Sequence, residues 1–376
     1  MRSPLLLIGC VVLAVAACSG DTGDPAPAPA TRAEIVRGDL DDLLGIGAVG
    51  ALATLTEDGR TTTLAAGTAD LRTGQPVSAD RPQHVRVGSV AKTFVAAIVL
   101  QVVDEGRIRL DEPIDTYLPG LLTGDGVDGR AITVRQLLQH RSGLPEVSED
   151  PEIEEYRAGR SGRTFTPDEE VAIALRRPVK FAPGSRYEYT NTNFIVAAIL
   201  VERITGRPYA EELRTRILTP LELTGTYLPA TGELDLRDPH PRGYSDIDGY
   251  RTDVTRIEPS VPWAAGALVS TGADLNRFYT ALDRGEVVPA DRLREMLDGV
   301  PMGSDLFARG RYYGLGLMYG QLPCGIRYLG HDGGIDGFIA ISGATSGGRA
   351  VTISATGSVA EQRIDPLRML GHALCP

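Results

Sequence analysis

From Val90 to Val103 every position is apolar except Lys92, Thr93 and Gln101. A run with no polar face predicts a helix buried on all sides, not one lying on a surface. Towards the N-terminus, Ala33 to Leu44 has the spacing of an amphipathic helix. Ala48 to Thr56 and Arg60 to Gly67 alternate apolar with polar positions, and Glu57-Asp58-Gly59 between them predicts a hairpin. The far end of the chain matches this pattern. Gly314 to Gln321, Ile326 to His331, Phe338 to Ser342 and Ala350 to Ala355 read as strands, Ser346-Gly347-Gly348 turns the last pair, and Leu367 to Ala373 closes with helical character.

The middle of the chain carries helix start signals instead. Thr133-Val134-Arg135-Gln136 is a capping box opening a helix over Val134 to His140, and Thr166-Pro167-Asp168-Glu169 opens another with proline in its first turn. Phe194 to Thr205 is a third, ended by Gly206, and Ala273 to Asp283 a fourth. Strands at both chain ends with helices between them predict an α+β fold. We expect an antiparallel five-stranded sheet flanked by N- and C-terminal helices, with an all-helical lobe inserted. The sheet lobe would take residues 33–88 and 290–376, and the helical lobe about 89–289. A pocket is expected in the cleft between them.

A chain of 376 residues, 42% hydrophobic, can bury a large core. The net charge of −11 and the absence of any Lys/Arg run argue against nucleic acid or an anionic membrane surface as the main partner. Met1-Arg2 followed by Leu5 to Ala17 has the layout of a secretory signal peptide (1–17), too short to remain as a membrane-spanning helix. Val15-Ala16-Ala17-Cys18 resembles a bacterial lipobox, in which Cys18 would receive lipid and tether the protein to the membrane. The alternative is ordinary cleavage after Ala17 or in the Ala-Pro tract, releasing a soluble protein. Residues 18–32, with Pro25-Ala26-Pro27-Ala28-Pro29, read as an extended linker. With Cys10 in the leader and Cys18 a lipid site, Cys324 and Cys375 remain to form a disulfide in an oxidising compartment.

Chemistry concentrates where the buried helix begins. Ser89 and Lys92 are three residues apart, on one helical face, so the Lys92 amine can reach the Ser89 hydroxyl. Burial disfavours a charged lysine, which would let Lys92 act as a base on that serine. Backbone N–H groups at a helix start favour the negative charge of a carbonyl under attack. The plain alternative makes Ser89 an N-cap and Lys92 a solvated first-turn residue. Tyr189 and Asn191 precede the Phe194 helix and can point into one cleft, the phenol relaying a proton and the amide holding a carbonyl. Taken alone they read equally well as loop and turn residues. His331-Asp332-Gly333-Gly334 ends an expected strand, and its glycines would let a substrate backbone lie along that edge. His84, His140, His240, His331 and His372 are scattered, so no metal site is expected and no cofactor is needed.

Ser-x-x-Lys, then Tyr-x-Asn about a hundred residues later, then His-x-Gly on a late strand, resembles the ordered triplet of the serine penicillin-recognising enzymes. The chain is similar to secreted serine D-Ala-D-Ala carboxypeptidases and class C β-lactamases over essentially its whole mature length. The likeness extends to Leu137-Leu138-Gln139-His140-Arg141-Ser142-Gly143-Leu144, Asn191-Thr192-Asn193-Phe194, Trp263-Ala264-Ala265-Gly266 and Gly314-Leu315-Gly316-Leu317, and the Cys324–Cys375 pair matches the carboxypeptidase branch. It implies a β-lactamase/transpeptidase-like catalytic domain over 33–376. Ser89 would be the nucleophile, with Lys92 or Tyr189 as base and the N–H groups of Ser89 and Gly334 holding the oxyanion. Asn191, His331, Asp332, Gly333, Trp263 and Met318 would line the substrate site, with His331 an electrostatic partner of the Tyr189 region and His140 a packing residue.

Three departures bear on substrate. The carboxypeptidase branch has hydroxyl residues where this chain has Asp332 and Gly334, and a carboxylate-binding arginine where it has Met318. Losing that arginine removes a charge-assisted clamp, and Asp332 would repel a carboxylate. Arg311 and Arg327 are nearby in sequence as substitutes. The leading expectation is an acyl-enzyme hydrolase of D-Ala-D-Ala-type peptides or β-lactams, with peptidoglycan precursors as substrates. The alternatives are an esterase or amidase for substrates lacking a carboxylate, and a non-catalytic muropeptide-binding protein.

Overall fold

The computed structural model describes residues 30–304 and 306–376, so the expected leader, the linker as far as residue 29, and Cys18 lie outside the described residues. Arg32–Pro376 form one compact unit. It opens with helix α1 (Arg32–Gly45) and the hairpin β1 (Gly50–Glu57) and β2 (Arg60–Asp70). Glu57 pairs with Arg60 across Asp58-Gly59, whose φ values of 50° and 73° make the two-residue turn that strand twist favours. Short strands β3 (Gln75–Pro76) and β4 (Val85–Arg86) lead to the buried helix α2 (Ala91–Asp104).

The inserted part holds α3 (Val134–Leu138), α4 (Glu155–Ser161), α5 (Pro167–Ala174), α6 (Thr192–Thr205) and α7 (Tyr209–Leu213). The Thr133 capping box closes in both directions, Thr166 caps α5 ahead of Pro167, and Gly206 ends α6 in the left-handed conformation. The insertion also carries a hairpin, β5 (Tyr244–Ile247) with β6 (Tyr250–Asp253). The turn α8 (Trp263–Gly266) precedes β7 (Val269–Ser270), which pairs back with β4. Helices α9 (Gly272–Asp283) and α10 (Ala290–Met296) return the chain to the sheet.

The remaining strands are β8 (Val300–Pro301), β9 (Arg311–Tyr313), β10 (Met318–Gln321), β11 (Arg327–Ile335), β12 (Phe338–Thr345) and β13 (Ala350–Thr356), followed by α11 (Pro366–Leu374). The sheet is wider than the five strands expected: nine strands in the order β3-β2-β1-β13-β12-β11-β10-β9-β8, all antiparallel neighbours. The strands that the sequence did not show, β3, β8 and β9, are short segments of two or three residues towards the two ends of the sheet, with too few positions to show a period. Alternation along β13 explains the layers. Val351, Ile353 and Ala355 face a core shared with α1 and α11, while Thr352 faces Asn276 of α9 on the other side.

Two strand boundaries differ from the sequence reading. The stretch Gly314 to Leu317 is not extended, because Gly316, at φ 68°, is pressed against α2, where a Cβ would come 2.4 Å from that of Ala96. The chain becomes a strand only at Met318. Conversely, the strand expected to end at His331 continues: β11 runs through Asp332-Gly333-Gly334 to Ile335, carried by continuous register with β12 up to the pair Ile335 and Phe338.

Candidate active site

Ser89 lies in a single 3₁₀ turn, Gly88–Val90, that runs into α2, and its side chain caps nothing. That turn packs on β11, and glycine makes the approach possible. A Cβ on Gly88 (φ 51°) would sit 2.6 Å from Gly334 O, and one on Gly333 would sit 2.7 Å from Ser89 N. The glycines of the late strand and the serine turn are thus two halves of one contact.

Lys92 is fully buried, and its Nζ is 2.9 Å from Ser89 Oγ, 2.7 Å from Asn191 Oδ1 and 2.9 Å from the Ala265 carbonyl. Burial lowers its pKa to about 7, against an opposing pull from the Glu146 carboxylate. Nζ also lies 4.9 Å from the centre of the Tyr189 ring. The Tyr189 hydroxyl is shut off from solvent with no well-aligned hydrogen bond among the described residues. Burial pushes that phenol well above its ordinary value, with Ser89 drawing it down in part.

His331 Nδ1 is bonded to the Asp332 carbonyl, which can only accept, so Nδ1 carries the proton and Nε2 accepts from Tyr313 OH at 3.0 Å. Burial drops its pKa to about 3. The expected electrostatic partner of the Tyr189 region is therefore a neutral imidazole, coupled to it through Tyr313, whose ring meets that of Tyr189 edge-on at 6.0 Å. His140 is equally buried and neutral; its Nδ1 accepts from Thr190 N at 3.2 Å and its ring lies 4.1 Å from that of Tyr189, so it props the Tyr189 loop.

Two cavities meet at Ser89, Asn191 and Gly334. The larger, about 490 Å³, is lined by Tyr189, Met318, Asp332, Gly333 and Glu361 among others. The smaller, about 100 Å³, adds Ser148, Glu155 and Ile195. Trp263 lines neither; its ring lies edge-on to Tyr209, and its turn contributes the Ala265 carbonyl instead. Met318 and Asp332 occupy the expected wall, but Asp332 does not stand there as a bare charge. Arg311 Nη2 lies 2.6 Å from Asp332 Oδ2, with Arg311 fully buried, although neither Asp332 oxygen has an aligned donor among the described residues. Arg311 Nε donates to Tyr328 OH at 2.8 Å and Nη2 approaches Met318 Sδ at 3.1 Å. Arg327, the other candidate substitute, is exposed at the start of β11 and lines neither cavity.

Sequence reasoning overlooked Glu146, whose carboxylate holds Asn191. The amide Nδ2 that was to hold a substrate carbonyl donates to Glu146 Oε1 at 3.1 Å, and Asn191 Oδ1 faces Lys92. Glu146 follows Gly143-Leu144-Pro145 directly, and only its place beside that stretch could have drawn attention to it. Cys324 and Cys375 are disulfide-bonded as expected.

Comparison with known proteins agrees with this arrangement. The Beta-lactamase family model matches residues 36–373. A D-stereospecific amidohydrolase from Streptomyces sp. is 34% identical with a TM-score of 0.80, over 90% of this chain and 98% of that one. The D-amino acid amidase of Ochrobactrum anthropi SV3 is 28% identical with a TM-score of 0.77, over 91% and 97%. A putative penicillin-binding protein of Bacillus subtilis (strain 168) is 26% identical over 62% of this chain and 56% of its own length. The chain spans about half the length of the curated relatives it matches. With a serine–lysine pair at the start of its buried helix and a family match over nearly all its described length, this chain belongs to the Beta-lactamase family.

Proposed function

We propose that this chain is an exported amidohydrolase that acylates Ser89 with D-amino-acid amides or peptides whose leaving group carries no carboxylate. The observation that carries the substrate class is the Arg311–Asp332 pair beneath Met318. The expected clamp position is a thioether, and Arg311 beside it is engaged by Asp332, so among the described residues a substrate carboxylate would meet no available arginine at that position. Carboxypeptidase and β-lactamase turnover, implied by the sequence resemblance, both depend on such a clamp. The likeness to amidases acting on D-amino acids supports the same choice. The leader-like Met1–Ala17 stretch and the Cys324–Cys375 disulfide support export.

The geometry supports a proton path. Neutral Lys92 takes the Ser89 proton across 2.9 Å while Oγ bonds to the amide carbon, and the N–H groups of Ser89 and Gly334 receive the developing oxyanion. Tyr189, held protonated by burial, suits the role of acid and not of base. It gives its proton to the leaving nitrogen, the C–N bond breaks, and Lys92 returns a proton to the phenolate. Water then cleaves the ester on Ser89, releasing the acid and restoring the hydroxyl.

The test is ammonia release from D- and L-phenylalaninamide, with benzylpenicillin adducts followed by intact mass in parallel. We expect turnover of the D-amide by wild type, none by Ser89→Ala, and no lasting penicillin adduct. A stable penicillin adduct or rapid drug loss, without amidase activity, would return the assignment to a penicillin-binding enzyme or β-lactamase.

A further inference from the structure

The proton path requires the Asn191 amide to keep one orientation, and nothing in Asn191 itself enforces it. Turned by 180°, the amide would aim N–H groups at Lys92 where the structure has an acceptor. Glu146 removes that freedom. It accepts from Asn191 Nδ2 at 3.1 Å and from the Asn191 backbone N at 2.6 Å. Its Oε1, which takes the Asn191 amide, also accepts from Ser148 N at 2.9 Å and Ser148 Oγ at 2.8 Å. A carboxylate only accepts, so it holds the N–H end of the amide and turns the oxygen end to Lys92 Nζ, 2.7 Å away.

We propose that Glu146 is a positioning residue of the acylation machinery, locking the Asn191 oxygen onto Lys92 and keeping a negative charge behind it. The proposal rests on the reading of Lys92 as the base. The other groups around Nζ cannot take this part: Ser89 and the Ala265 carbonyl are its hydrogen-bond partners, and Tyr189 and Phe194 offer ring faces at 4.9 and 5.8 Å. His140 and His331, close enough to sense the lysine, are neutral at pH 7. Glu146 is the carboxylate whose charge pulls against the burial of Lys92. Removing it should make the amine easier to neutralise and the amide free to turn, two effects with separate readouts.

The sequence makes the test clean, because Lys92 and Lys180 are the only lysines. Carbon-13 labelling at lysine Cε therefore gives two NMR resonances. Lys180, bound to Glu149 and Glu188 at 2.8 and 2.9 Å, is the internal reference. In Glu146→Gln the Lys92 titration should move to lower pH by roughly one unit while Lys180 stays in place. The acid limb of kcat/KM should move with it, and the plateau should fall because glutamine can face either end of the Asn191 amide. Glu146→Asp keeps the charge, so its titration should stay near wild type with a lowered plateau; it also serves if Glu146→Gln does not fold. A folded Glu146→Gln in which Lys92 titrates as in wild type would overturn the proposal, as would a Glu146→Asp that matches wild type in both limb and plateau. A wild-type Lys92 titrating near the ordinary lysine value would instead overturn its assignment as the base, so the two failures are read from different samples.

Discussion

At the scale of single residues, the site depends on groups held in protonation states they would not keep in water. Lys92 is the clearest, with its pKa brought to about 7 by burial. In its proposed role as base it must be neutral, so kcat/KM should fall about tenfold per unit as pH drops below 7 and level off above it. A profile flat from pH 5.5 to 7.5 would remove Lys92 from that role. The Arg311–Asp332 pair makes a second prediction. Arg311→Met alone leaves a buried, unpaired carboxylate and should cost about 3–5 kcal/mol in urea unfolding. Arg311→Met with Asp332→Thr removes both charges and should recover most of that loss. Additive losses in the cycle would mean that the two charges do not stabilise one another. Ser89, Lys92, Tyr189 and Asn191 were legible in the sequence because their ordered motifs resemble those of a known family; spacing by itself joined only Ser89 to Lys92 and Tyr189 to Asn191. Glu146 and the Arg311–Asp332 pair were not, since partners that meet only through the folded chain share no local period.

At the scale of elements, the contact between the Ser89 turn and β11 is the joint on which the proposed catalysis depends. Gly88→Ala places a methyl group 2.6 Å from Gly334 O and asks alanine to hold φ 51°. The conformation alone costs about 1–2 kcal/mol. The clash must also push the serine turn away from the strand, so kcat should fall at least tenfold, more than the loss of stability accounts for. A variant that lost stability but kept kcat would separate the joint from the chemistry. Helices with caps or a uniform apolar run were readable in the sequence, as were strands that alternate. β11 was cut short in that reading because two adjacent glycines carry no strand signal; only pairing with β12 keeps them extended. Gly314 to Leu317 was overextended because a glycine pressed on α2 cannot be told in sequence from one within a strand.

At the scale of the whole molecule, one sheet built from both chain ends holds the helices between them, and the disulfide ties α11 to the β10–β11 turn. Replacing both cysteines with serine opens a 51-residue loop, which on the chain-entropy account should cost about 4 kcal/mol in unfolding. The fold also buries titratable groups of opposite tendency. His331 and His140 resist protonation, so acid weakens the fold through them; buried carboxyls resist ionisation, so base weakens it through them. Glu170 isolates the second effect, because it is fully buried on α5 and neither oxygen has a partner among the described residues. Its pKa is pushed well above the ordinary glutamate value by burial, so the folded chain holds a proton that the unfolded chain releases. The stability from this group is complete below the unfolded pKa and drains away as pH rises towards the folded one, by about 1.4 kcal/mol per unit. Glu170→Gln cannot ionise, so its stability relative to wild type should improve as pH rises from the unfolded glutamate pKa towards the folded one in urea unfolding. A constant difference across that range would mean that Glu170 has found a partner or solvent in the folded state, and that the helical core around α5 is less closed than its packing indicates.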